Sequence, residues 1–443
     1  MIGKRRALAR GLSLGAAAIC AWYSSGLQAD NGVLFFGKWW ALDSPGRALL
    51  VFLYAATAAL IAIASLSGQE ESLSAPLLTS AGLLSAALLL RSSSTSFLIL
   101  PLALVAVVWT VREGTPSAAR GASLFLAWTA IPALLVPAAF AMLERSAISV
   151  DASATPEWAA WLLLAPAILW LTIFPSDGAL RLWNRDQPSL GAAFLWVVRD
   201  AVVFYLLLKL WRQHPGLRAP GVLTTLGAAG FITAVYNGVL AAVQHTPSAV
   251  LACAAMSELG IAVQGLASGS LDGVIGGMSL LIDRSAAVLL AVAALAACKR
   301  VGARDVQDPS PFREWRRWLV VVGFAVAVLA MVGAPWGALA GRQRVLKALE
   351  PRSPFLLLAW GAGSAGVSLG LARAVWTMWH SETPPSRGHR DDLLLLLVLG
   401  LLPLALWVGL RSEAMGTLLS EWVSGLVPSA QATSDCIVAA PML

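Results

Sequence analysis

Phe174-Pro175-Ser176-Asp177-Gly178 and Gly333-Ala334-Pro335-Trp336-Gly337 interrupt two apolar stretches, 158–174 and 318–340, that are otherwise long enough to cross a bilayer. Proline removes a backbone donor and obstructs the preceding helical turn, so helix breaks are expected at Pro175 and Pro335. Cutting the chain between Arg212 and Pro220 leaves five apolar spans from 77 to 211 and five from 220 to 379, with the interrupted span fourth in each set. Paired breaks at matching places in two halves predict an inverted-repeat transport fold. The expected organisation is N-terminal transmembrane helices (1–76), a first five-helix repeat (77–212), a second five-helix repeat (220–380), and a C-terminal transmembrane helix with an interfacial tail (381–443).

Composition leads to the same class. Of 443 residues, 58% are hydrophobic and 12% charged, against about 25% charged in a soluble domain. This excludes a globular enzyme with a large core. Hydropathy gives about thirteen spans, near 7–27, 47–67, 77–91, 96–112, 120–142, 158–174, 189–211, 220–243, 248–268, 274–298, 318–340, 354–379 and 392–410. Their length points to an all-α polytopic membrane protein and not a β-barrel. The first span follows a basic n-region and reads as a retained signal anchor; cleavage near Leu27-Gln28-Ala29 is the alternative. Met415–Val427 is weakly amphipathic and suits the interface.

The net charge of +7 comes from scattered loop clusters, chiefly Lys4–Arg10 and Lys299–Arg317. These read as cytoplasmic loops obeying the positive-inside rule, not as a nucleic-acid surface. Cys20, Cys253, Cys298 and Cys436 lack metal-ligand spacing. Many of the 19 tryptophans sit at span ends, as an interfacial belt requires. No Gly-rich nucleotide loop, metal cluster or catalytic triad pattern is present, so no cofactor, metal or catalytic residue is expected in this chain.

Five ionisable residues lie deep inside apolar spans: Arg199, Asp200, Glu258, Asp283 and Arg284. A charge at the centre of a bilayer costs about 2.5–3.5 kcal/mol on insertion scales, so such residues pair, face a protein interior or handle ions. Arg199 and Asp200 are adjacent, about 100° apart around a helix. An arginine does not deprotonate in proteins, so Arg199 can tune a neighbour but cannot carry a proton. Asp283 and Arg284 form a sequence-adjacent pair, and Glu258 is the lone carboxylate of the five.

Gln244-His245-Thr246-Pro247-Ser248-Ala249-Val250-Leu251-Ala252-Cys253-Ala254-Ala255-Met256-Ser257-Glu258-Leu259-Gly260 carries a Leu-Ala core, a Ser and a closing Gly. In that register it resembles a recurrent segment of the antiporter-like membrane subunits, approximately Q-x-D-L-K-R-L-L-A-Y-S-S-I-S-Q-M-G. These are subunits L, M and N of proton-translocating NADH:quinone oxidoreductase, with relatives in Mrp-type cation/proton antiporters and membrane hydrogenases. The stretch from Val322-Gly323-Phe324 through Gly333-Ala334-Pro335 to Gly341-Arg342-Gln343-Arg344 is similar to that family's broken helix. Ile173-Phe174-Pro175 to Pro188, followed by Trp196-Val197-Val198-Arg199-Asp200-Ala201, resembles its F-K-x-x-x-x-P-x-H-x-W-L-P segment and the helix after it. The resemblance covers about residues 40–410, and word by word only 247–260 and 322–344.

The resemblance implies ion translocation by coupled protonation along a charged axis, with the driving reaction supplied by other membrane subunits. The translocated ion is a proton or sodium ion, and the location is the cell inner membrane. The surviving axis would be Arg199, Asp200, Glu258, Asp283 and Arg284. Departures qualify this. The family's lysine before the first break falls near Trp170, the glutamate expected in 96–112 is absent, and its H-x-x-x-K-like helix has become Asp283-Arg284-Ser285-Ala286-Ala287-Val288. The other reading is therefore a non-conducting structural subunit of such a complex or of an inorganic-carbon uptake module. Asp177, Arg181, Arg185 and Asp186 read as a solvated loop, or else a half-channel mouth. Arg342, Arg344 and Lys347 read as side chains reaching the interface, and His245 as structural.

Overall fold

The computed structural model describes residues 2–27, 33–35, 38–40, 42–68, 73–109, 116–149, 157–185, 189–214, 218–301, 311–334, 339–349, 354–380, 389–410 and 420. Helices dominate, because a helix satisfies its backbone donors and acceptors internally where lipid offers none. In chain order they are α1 (Ile2–Gly26), α2 (Ser44–Ser67), α3 (Ser74–Leu89), α4 (Ser93–Val108), α5 (Pro116–Ser149), α6 (Glu157–Trp170) and α7 (Gly178–Trp183). Next, α8 (Leu190–Phe194), a π-helical turn (Leu195–Arg199) and α9 (Asp200–Gln213) run on as a single rod. The second half holds α10 (Pro220–Ala241), α11 (Pro247–Ala267), α12 (Leu271–Val301), α13 (Pro311–Val332), α14 (Leu339–Leu349), α15 (Pro354–His380) and α16 (His389–Leu410). Between α1 and α2 lies a short antiparallel pair, Val33–Phe35 with Lys38–Trp40.

Local chemistry sets the helix ends. Asp43 caps α2 by accepting from the Gly46 amide at 2.8 Å, and Gly68, at φ 75°, closes it. Thr246 caps α11 through the Ala249 amide at 3.2 Å, with Pro247 in the first turn, where its missing N–H is harmless. Seven described helices are long and apolar enough to cross a bilayer: Ser44–Ser67, Pro116–Leu143, Leu190–Gln213, Pro220–Ala241, Pro247–Ala267, Leu271–Cys298 and Trp315–Val332. Ser74–Leu89, Ser93–Val108, Trp158–Trp170 and Asp392–Val408 are shorter apolar helices.

The helices differ sharply in how much of them meets the outside. Across their most apolar stretch the Leu190–Gln213 rod and α11 are entirely buried and α12 is 83% buried, whereas α5 is only 28% buried. The chain thus has an inner set of helices largely enclosed by the others. Small residues bring its wall close. Gly260 of α11 faces Gly230 and Ala234 of α10, and Gly366 and Gly370 of α15 lie against the α10 backbone at Gly238 and Ala241. A side chain on Gly366 would run into the Gly238 carbonyl. Gly366→Val is expected to force α10 and α15 apart at a cost of about 1–3 kcal/mol, the range for overpacking. Thermal unfolding in detergent checks this, and an unchanged midpoint would refute the close seam.

Candidate ion-translocation site

The inner helices are the ones that carry the buried charges. Arg199 ends the π-helical turn and Asp200 begins α9, Glu258 lies on α11, and Asp283 and Arg284 lie on α12. A π turn widens the helix by one residue and often marks a functional site; here two adjacent charges both stay inside the protein. Arg199, Asp200 and Arg284 have fully buried side chains.

Three elements meet at Asp200. Arg199 forms an ion pair with one carboxylate oxygen, and Arg284 Nη2 donates to Oδ2 at 2.8 Å. Arg284 also donates to the Trp196 carbonyl and, at 3.3 Å, to the Ala255 carbonyl of α11. Arg199 reaches back to α6, donating to the Trp170 carbonyl at 2.7 Å and to Thr172 Oγ1 at 3.0 Å. One carboxylate thus gathers two guanidiniums, and these tie the rod to the first break, α11 and α12.

Glu258 belongs to a second group. Its carboxylate pairs with Arg342 of α14. Arg342 also donates to Ser364 Oγ of α15 at 2.9 Å and to the Met331 carbonyl of α13 at 2.6 Å. Asp283 is 7% exposed, and its Oδ2 has no hydrogen-bond partner among the described residues. It is within electrostatic reach of Glu258, a like charge. Arg199, Arg284 and Arg342 stand with Asp200, Glu258 and Asp283: three guanidiniums against three carboxyl groups.

Both apolar stretches flanking this row do break. After α6 the chain unwinds from Leu171 to Asp177, with a cis Phe174–Pro175 bond and a positive φ of 51° at Thr172. α13 ends with Gly333 at φ 100°. Immediately beyond the first break, Asp177 is 2% exposed. It pairs with Arg181 at 3.3 Å and accepts from Asn237 Nδ2 of α10 at 2.9 Å. Arg181 stacks over the Tyr236 ring at 4.8 Å.

No protein family and no curated protein matches this sequence. Solved structures do match. A chain of the Mrp complex from Dietzia sp. DQ12-45-1b superposes with a TM-score of 0.72 at 16% identity, covering 97% of this chain and 92% of that one. A chain of respiratory complex I from Thermus thermophilus with bound NADH gives 0.70 at 20% identity, covering 93% and 95%. A chain of the membrane-bound sulfane sulfur reductase, an archaeal respiratory membrane complex, gives 0.70 at 15% identity, covering 90% and 72%.

The chain has the antiporter-like subunit fold. Within that fold, the structure redistributes the sequence-level pairings. Asp283 and Arg284, adjacent in sequence, do not pair, because Arg284 turns toward Asp200. Glu258 is not the lone carboxylate, since Arg342 holds it; the buried carboxylate oxygen with neither a hydrogen bond nor an ion pair among the described residues is on Asp283. Arg342 does not reach for the interface but points inward, although Arg344 and Lys347, further along the same helix, line an open surface cavity with Asp272 and Gln343. Asp177 is buried and not loop-solvated, whereas Arg185 is exposed as expected. Pro335, Asp186 and, Ser420 apart, the stretch Met415–Val427 lie outside the described residues. Helical periodicity gave one signal for Arg342 that sequence reading passed over: in amphipathic α14 it shares a face with buried Val345 and Leu349, at spacings of three and seven.

Proposed function

We propose that this chain is an antiporter-like, proton-translocating membrane subunit of a larger respiratory-type assembly in the cell inner membrane. Residues 77–212 and 220–380 form its two inverted repeats. The observation that carries this reading is the buried row Arg199–Asp200–Arg284, Asp283, Glu258–Arg342, with a carboxylate oxygen left unpartnered at Asp283. Protons are exchanged by carboxylates, since the row's cations are guanidiniums, which stay charged. Asp283 and Glu258 are the exchanging groups: each is a buried carboxyl on an inner helix, and Asp283 has an oxygen with no hydrogen-bond partner among the described residues. Trp196 Nε1, Arg199 Nε and Arg284 Nε are also buried without partners among the described residues. Buried polar groups of this kind are ordinarily satisfied by internal water, which supplies the hydrogen-bonded links a relay needs.

A non-conducting structural subunit is the second reading. It is favoured by the way Asp200 is clamped between two fully buried guanidiniums, an arrangement that joins helices and offers no free site for a proton. Proton flux into vesicles containing the assembled complex separates the two. Wild type is expected to pump and Glu258→Gln to fall to background with assembly intact. Unchanged pumping in Glu258→Gln would remove Glu258 from the mechanism, and an assembled wild type that moves neither protons nor sodium supports the structural reading. Repeating the assay with sodium as the varied ion decides between the two cations.

A further inference from the structure

The two breaks close with the same hydrogen-bond pattern. At the first, the Thr172 amide donates to Leu169 and the Ile173 amide to Ile168; at the second, Gly333 donates to Ala330 and Ala334 to Leu329. Each is the paired five-to-two and six-to-one ending of a helix whose next residue takes a left-handed conformation. In both, the carbonyl two residues before that left-handed residue loses its usual donor four residues on. For Trp170 that donor is the Phe174 amide, which goes instead to Thr233 Oγ1 at 2.8 Å. For Met331 it would be residue 335, a proline with no N–H. Each orphaned carbonyl is taken by an arginine, Arg199 at 2.7 Å and Arg342 at 2.6 Å. Each of these arginines also pairs with a carboxylate, Asp200 or Glu258. The same three-part unit of helix end, guanidinium and carboxylate is therefore built twice.

The copies differ in what surrounds the carboxylate. Asp200 is shared with a second cation, Arg284, and the whole group is sealed from solvent. Glu258 has one paired cation, whose side chain is 12% exposed. Of the elements packed on α11, α12 brings Asp283 and Arg284, and α14 brings Arg342. Tyr236 of α10 lies under Arg181, Arg373 of α15 reaches the Gln244 carbonyl, and the charges of α13 cluster in Arg313–Arg317 at its far end. A proton arriving at Glu258 thus removes one of the three groups holding Arg342 and relieves the repulsion with Asp283. No equivalent step is open at Asp200.

We infer that Arg342 is a positioning residue that couples the charge of Glu258 to the conformation of the second helix break, whereas Arg199 locks the first break in one conformation. This rests on the reading of Glu258 as a proton-exchanging group. It goes further by assigning the moving break to the second half of the chain alone. The bistable element is the α13 end: with Glu258 ionised, Arg342 bridges carboxylate and Met331 carbonyl; with Glu258 neutral, that bridge is halved.

Backbone hydrogen exchange of the full chain in lipid nanodiscs tests this without measuring transport. The Gly333 and Ala334 amides are expected to exchange at least about tenfold faster in Glu258→Gln than in wild type, with the Thr172 and Ile173 amides unchanged. Arg342→Lys keeps the charge but not the planar fork that reaches two acceptors, and is expected to show the same acceleration with Glu258 intact. Equal exchange at the second break in all three proteins would overturn the inference, as would acceleration at both breaks together. Failure of the transport reading is separable. Accelerated exchange in a chain whose assembly pumps no protons keeps the coupling and discards the function, and lost flux with unchanged exchange does the reverse.

Discussion

Asp200→Asn is expected to cost the folded chain about 3–5 kcal/mol, the range for removing one partner from a buried ion pair. The substitution leaves Arg199 and Arg284 facing each other in a space sealed from solvent, with a neutral amide in place of the charge that both share. Their bonds to the Trp170, Trp196 and Ala255 carbonyls offer dipoles but no counter-charge. The loss spreads along the rod, the first break, α11 and α12, because all four are tied at this point. The expected readout is a sharply lowered unfolding temperature in detergent and a loss of monodisperse protein on size exclusion. Replacing the triad together, Arg199→Met with Asp200→Leu and Arg284→Met, removes all three charges and is expected to recover most of that stability. An Asp200→Asn chain as stable as wild type would show that the triad is not a joint.

Asp283→Asn is expected to do the opposite: abolish proton flux in the assembled complex while leaving the unfolding temperature equal or higher. Asp283 is buried, has an unpartnered carboxylate oxygen, and sits within reach of a second acid. A neutral amide of the same shape removes a buried charge that no described side chain compensates, so stability does not suffer. The exchangeable proton goes with it. Flux that persists in Asp283→Asn would take Asp283 out of the path, and a collapse in stability would mean that its charge is matched after all. Side by side, the two aspartates separate the part of the row that holds the helices together from the part that is free to load.

The fold was legible because its determinants are local. Apolar run length places most of the helices to within a few residues, with α5 ending later and α13 starting and ending earlier than expected, and the breaks near Pro175 and after Val332 fall close to the prolines. The five mid-span charges were legible for the same reason, since any charge in such a run stands out. Their partners were not. Pairing depends on which helices neighbour each other and at what height, and sequence adjacency misleads when the backbone turns each residue by about 100°. Asp283 and Arg284 therefore read as a pair although Arg284 reaches α9 and Asp283 does not follow. Arg342 was hidden because a basic residue near a span end ordinarily extends to the surface. The close approach of Gly341 on α14 to Gly276 and Leu280 of α12, with Val345 against Gly265 of α11, leaves Arg342 facing Glu258.

The cancellation of three guanidiniums by three carboxylates has an electrical consequence. With all six groups ionised, a transmembrane voltage exerts no net force on the row as a whole. A single proton taken up at Asp283 or Glu258 makes the row a net cation, and the field then acts on it with up to about 2.3 kcal/mol per 100 mV for a full crossing. Voltage would therefore act on the loaded row as a whole, favouring departure of the proton toward the negative side, whereas the empty row returns without a net electrical pull.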